Sequence, residues 1–213
     1  MNNEDIKQVE RRVKRYWYTD GIAELASGGL FLLLGLYFGV LGYFEEGSLV
    51  SVILQVSMIL VFIVGAFGVR WLVNTLKSRL TYPRTGYVEY RVKDGDTKKR
   101  RWMIVVSAMV ISAASIVLVD YIRGLDSMVL VNGLLVGVIF IALRGKSSGL
   151  KRFYLLGVLA MVLGVTLSFS GLSQAYNLGL LYGLLGIAVM FSGGLVLRRY
   201  LSENPLPPEN GHE

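Results

Sequence analysis

The chain contains no cysteine. Disulfides, thiolate metal sites and cysteine nucleophiles are therefore excluded. Its single histidine, His212, is the penultimate residue, which removes most zinc sites and most imidazole acid–base chemistry. A metalloprotease helix of the His-Glu-x-x-His type cannot be assembled, and a Ser–His protease lacks its base. No Walker loop is present, and no run of aspartates suits a divalent-cation transferase. Charge is scarce too: charged residues make up 17% of 213, against roughly 25% in soluble domains. A soluble fold of this length needs more polar surface than that to cover its core.

What the chain has instead is long apolar blocks. Hydrophobic residues are 54% of the total, and mean hydropathy is +0.55. Six blocks stand out: Gly21–Phe44, Leu49–Leu76, Trp102–Val119, Met128–Leu143, Phe153–Ser170 and Ala175–Leu197. A spanning helix needs about 20 apolar residues, so the fourth block is short. The blocks are apolar on every face, unlike the alternating strands of a barrel, and in lipid each must satisfy its own backbone. The expectation is an all-α integral membrane protein: a six-helix transmembrane bundle with a short cytoplasmic β-hairpin between the second and third helices. The first block is too long for a cleavable signal and reads as a retained anchor.

Basic residues set the expected orientation. Of 22 Lys and Arg, all but Arg123 fall before the first block, near the inner end of the second (Arg70) or between it and the third, between the fourth and fifth, or after the sixth. Arg123 shares its side with Glu45, Glu46, Asp120 and Asp126. The positive-inside rule places the basic side, with both termini, in the cytoplasm of a cell membrane. The net charge of +7 is thus a topology signal that also suits anionic lipid headgroups. No recognition module points to nucleic acid.

The expected domain order follows. Residues 1–20 form a cytoplasmic amphipathic helix, with Ile6, Val9, Val13 and Trp17 on one face. Residues 21–76 hold the first two spans. Residues 77–101 form a cytoplasmic loop: Pro83 ends the second helix, Thr85–Val92 alternates like a strand, and Asp94-Gly95 is a hairpin turn signal. Residues 102–197 hold the remaining spans, and 198–213 form a disordered tail.

Glycine repeats mark candidate packing faces. Gly28, Gly35 and Gly42 recur every seven residues in the first block, Gly157, Gly164 and Gly171 in the fifth, and Gly179, Gly186 and Gly193 in the sixth. A seven-residue step returns to nearly the same helix face, and small residues let helices approach closely in lipid. The stripes favour a tight bundle of the first, fifth and sixth helices.

Four polar residues are candidate sites. Asp20 and Glu24 share one face at the start of the first helix. They would bind a cation or a basic partner, or stabilise the helix N-terminus while pairing with Arg11, Arg12 or Arg15. Gln55 and Asn132 lie inside apolar blocks and read as interhelical hydrogen-bond formers rather than substrate ligands. No buried proton-relay group of the kind pumps use is visible.

The runs Arg15-Tyr16-Trp17-Tyr18-Thr19-Asp20-Gly21 and Leu80-Thr81-Tyr82-Pro83-Arg84-Thr85-Gly86-Tyr87-Val88 resemble small prokaryotic multi-pass membrane proteins of unassigned function. The resemblance implies a membrane location and no particular activity. The expected role is that of a non-enzymatic membrane protein without cofactor, which binds a protein partner, with the cytoplasmic hairpin and the 4–18 helix as its docking surface, or a second copy. The alternative is a small transporter or channel subunit.

Overall fold

The computed structural model describes residues 18–45, 47–85, 117, 127–145 and 149–205. They form five helical runs. α1 is Ile22–Tyr43 and α2 is Leu49–Leu76. α2 continues through a π-helical stretch, Lys77–Thr81, into a last turn, Tyr82–Thr85. α3 is Ser127–Val138 and also continues as a π-helix, Ile139–Gly145. α4 is Lys151–Ser168 and α5 is Gln174–Glu203.

Local chemistry sets the ends of these helices. Gly21 turns the chain into α1 at φ 71°, a left-handed conformation that glycine adopts without penalty. Asp20 then accepts the Ile22 N–H at 3.2 Å. Ser48 caps α2 by accepting the Ser51 N–H at 3.2 Å, the usual role of serine at this position. Between α4 and α5, Gly171 takes φ 70°, and Ser170 donates to Asn177 at 2.6 Å.

α1 and α5 pack antiparallel along a glycine seam. A Cβ on Gly28 would lie 2.7 Å from the Met190 backbone N, one on Gly35 2.5 Å from Gly183 N, and one on Gly186 2.5 Å from Leu32 N. Glycine at these positions lets the two backbones touch. α3 and α4 form a second seam of the same kind, where a Cβ on Gly133 would meet Gly164 Cα at 2.5 Å. Leu34, Phe38, Phe140, Phe153, Leu181, Tyr182, Leu185 and Val189 fill the core between the seams. Tyr182 stacks on Phe31 and Phe38, with ring centroids 6.0 and 5.7 Å away.

α2 rides on the outside of α1. The Leu30 side chain lies over Gly65, and Tyr37 donates to the Leu54 carbonyl. The rest of α2 presents Ile53, Val56, Ile59, Leu60, Ile63 and Phe67 outward. An exposed apolar surface of that extent is the covering expected toward lipid rather than water.

Two expectations are corrected. Among the described residues four helices, against the six expected for the chain, are long and apolar enough to cross a membrane: Ile22–Tyr43, Leu49–Arg84, Lys151–Ser168 and Gln174–Glu203. The apolar part of the fifth run, Met128–Ala142, is shorter, and its 15 residues reach about 22 Å at 1.5 Å each, short of a hydrocarbon layer about 30 Å thick. The block Trp102–Val119 lies outside the described residues apart from Val117. The cytoplasmic β-hairpin is not seen either. No strand occurs among the described residues, and Thr85, where the first strand was to begin, closes a helical turn. Pro83 does not end α2, because the hydrogen-bond register has already shifted: Tyr82 N–H bonds to Lys77 O, five residues back. A register change leaves room for a residue with no N–H to give. Residues 86–101, the remainder of that hairpin, lie outside the described residues, as do residues 1–17 and 206–213.

Candidate functional site

The helix ends that carry most of the described Lys and Arg gather at one end of the bundle. There the start of α1 meets the ends of α2, α3 and α5 and the start of α4. The overhang is long: α2 and its continuation run 36 residues, about 54 Å. Its last turn is tied to the end of α5, where Arg84 Nη1 donates to Asn204 O at 2.8 Å.

Inside this end lies a buried charged cluster. Asp20 is 1% exposed and Glu24 is wholly buried. Asp20 Oδ2 sits 3.1 Å from Lys77 Nζ and accepts a hydrogen bond from Thr81 Oγ1 at 3.1 Å. Glu24 Oε1 lies 2.6 Å from Arg152 Nη2. The approach is off the line of a directed hydrogen bond, so the contact is chiefly ionic. Glu24 Oε2 accepts from Ser192 Oγ at 3.2 Å. The same Arg152 nitrogen donates to Tyr18 O. Arg144 Nη1 donates to Ser27 Oγ at 3.3 Å, and its guanidinium lies 5.3 Å from the Phe140 ring and 5.9 Å from Tyr18. Tyr18 meets Phe153 edge to face at 5.2 Å.

Isolated buried charges are very costly, so such groups must be paired. Each pair here also joins two helices. Asp20 ties α1 to α2, Glu24 ties α1 to α4 and α5, and Arg144 ties α3 to α1. Arg152 sits at the start of α4, where the helix dipole disfavours a cation, and Glu24 offsets that. Both π-helical stretches are part of this arrangement: one carries Lys77 and Thr81, the other Arg144. π-helical turns are uncommon and recur at functional sites, which singles out this end of the molecule.

The other candidate residues lie elsewhere. Asn132 Oδ1 accepts from Tyr182 Oη at 2.7 Å, linking α3 to α5, while its amide donates to Met128 O at 2.7 Å. Gln55 is exposed on α2. Of the glycine stripes, Gly28, Gly35, Gly179, Gly186 and Gly193 line the α1–α5 seam, and Gly42 faces Tyr176 at its far end. Gly157 and Gly164 pack against α3 instead, and Gly171 lies in the connection before α5. Arg11, Arg12 and Arg15 lie outside the described residues. Among the described residues no three His, Cys, Asp or Glu side chains converge.

Sequence reasoning found the acids and missed their partners. Lys77, Arg144 and Arg152 count toward orientation in the sequence, yet here they are internal counterions. One signal was available: two carboxylates at the head of an apolar helix require cations from other segments. Comparison of the chain with family models, with curated proteins and with solved structures finds no match.

Proposed function

We propose that this chain is a non-enzymatic protein of the cell membrane that works by binding another membrane protein, with its basic end in the cytoplasm. The observation that carries the reading is the closed polar interior. Asp20, Glu24, Lys77 and Asn132 are each paired with a group on a neighbouring helix, Glu24 through an ion pair with Arg152 and a hydrogen bond from Ser192. These groups bind the bundle together and leave none of the four to meet a solute. Among the described residues nothing covers the apolar outer face of α2. Arg79, Lys151 and Arg198 are exposed at the basic end and suit anionic lipid headgroups.

The transport alternative draws on the same cluster. Charges buried at one end of a bundle, on π-helical turns, would serve as the gate of a small transporter or channel subunit. One experiment separates the two readings. The tagged chain is recovered from native membranes by gentle solubilisation and sized, and the purified protein is tested for solute flux in proteoliposomes. The expected result is a complex larger than the single 23.6 kDa chain, without flux. A monomer that conducts solute overturns the reading.

Orientation has its own test. Reporter fusions at Glu45 and Leu172 are expected to read external, and those at Gly149 and Asn210 cytoplasmic, because the basic residues cluster with the latter pair. The opposite pattern at all four sites would place the buried cluster on the outer face.

A further inference from the structure

We infer that α2 carries a homodimer interface, and that the partner seated on it is a second copy of this chain meeting the first at Gln55. The inference rests on the partner-binding reading above and names the partner.

The argument begins with Gln55. It lies about 9 Å along the helix from Leu49, at 1.5 Å per residue, within a run long and apolar enough to span. Its side chain is exposed, and it has no hydrogen-bond partner among the described residues. Lipid tails offer no donor or acceptor, so an amide facing them carries an unmet cost. Asn132, the comparable residue in α3, has its carbonyl taken by Tyr182. Gln55 therefore needs a group from outside the described bundle.

The surroundings define the shape of that group. Gln55, Ile59, Phe62 and Ala66 follow one another at steps of four, three and four, and all four are exposed. That spacing is the seam of two helices packed at a shallow left-handed angle. The seam stops before Arg70, which is exposed toward the basic end. Small Ala66 permits close approach there.

Symmetry then selects the partner. Copies inserted in one membrane share one orientation, so the axis relating a pair runs along the membrane normal. Gln55 of one copy then lies at the same depth as Gln55 of the other. A carboxamide has both donor and acceptor, so two of them satisfy each other reciprocally. A second copy of this chain meets the requirement with no further partner.

The cysteine-free sequence makes the test direct. Single cysteines are placed at Ile59, Phe62 and Ala66 on the seam and at Leu60 and Val64 on the far side of the same helix. Native membranes are then treated with a membrane-permeable oxidant. Disulfide-linked pairs of twice the chain mass are expected at the seam positions and not at the far-side ones. In the Ile59→Cys background, Gln55→Leu is expected to lower cross-linking roughly three- to thirty-fold, the range spanned by interhelical hydrogen bonds in membranes, and Gln55→Asn to preserve most of it. Equal cross-linking at all five positions, or none at any, overturns the inference. A seam adduct with a different polypeptide overturns the second copy and leaves the partner-binding reading in place. A conducting monomer overturns both.

Discussion

Glu24→Ala is expected to lower the stability of the bundle by about 3–5 kcal/mol, the usual cost of stranding one member of a buried ion pair. The carboxylate is wholly buried against Arg152 and Ser192. Removing it leaves a guanidinium that is only 22% exposed without its counterion, at a helix start whose dipole repels it. The melting midpoint in detergent should fall well below that of the parent. Adding Arg152→Met to Glu24→Ala should restore much of the loss, because removing both charges is far less costly than removing one. The control is Glu203→Ala, which breaks an exposed pair with Arg199 on the same helix and should leave the midpoint unchanged. If Glu24→Ala melted with the parent, the cluster would not hold the helices together.

Gly35→Leu and Gly186→Leu are expected to have effects of similar size by a different cause. At Gly35 the first added carbon already meets Gly183 N at 2.5 Å and Gly183 Cα at 2.6 Å; at Gly186 it meets Leu32 N at 2.5 Å. The obstacle in each case is backbone, which cannot rotate away, so α1 and α5 must separate. Overpacking costs roughly 1–3 kcal/mol when side chains absorb it, and these sites should lie at or beyond the upper end. Gly183→Ala is the informative contrast: nothing lies within 4 Å of its Cβ position, and alanine is the better helix former. It should melt at or above the parent midpoint. If Gly35→Leu and Gly183→Ala behaved alike in a thermal melt, the seam would not be a backbone contact.

Hydropathy made the membrane character readable because lipid requires long apolar helices, and α1, α2, α4 and α5 each coincide with such a block. The glycine repeats pointed to close helix contacts, and the α1–α5 seam is one. They did not reveal that Gly157 and Gly164 face α3, since period alone fixes a face and not its neighbour. Composition also misjudged the region after Leu76. The pattern ends the second helix at Pro83 and begins a strand at Thr85, whereas a register shift carries the helix through Pro83 to Thr85. Such shifts depend on what a turn packs against, here Lys77 and Thr81 on Asp20. That contact joins residues 61 apart in sequence, which no local pattern records.

The seam between α1 and α5 also bears on how the protein is made. α1, the earliest of the described helices in the chain, finds its closest partner in α5, the latest of them. Gly28 waits for Gly186, and Glu24 waits for Arg152 and then Ser192. At 5–20 residues per second, synthesis of the intervening chain takes on the order of ten seconds or more. During that interval α1 sits in or at the membrane with two carboxylates and a bare glycine face. Lys77 arrives early enough to shelter Asp20, but among the described residues nothing covers the glycine seam until α5 inserts. Closure by α5 makes assembly a late, long-range step. A chain stopped before Gln174 would hold every residue of α1 and still lack the surface α1 is shaped to meet. Such fragments would be left with an adhesive helix and natural targets for membrane quality control.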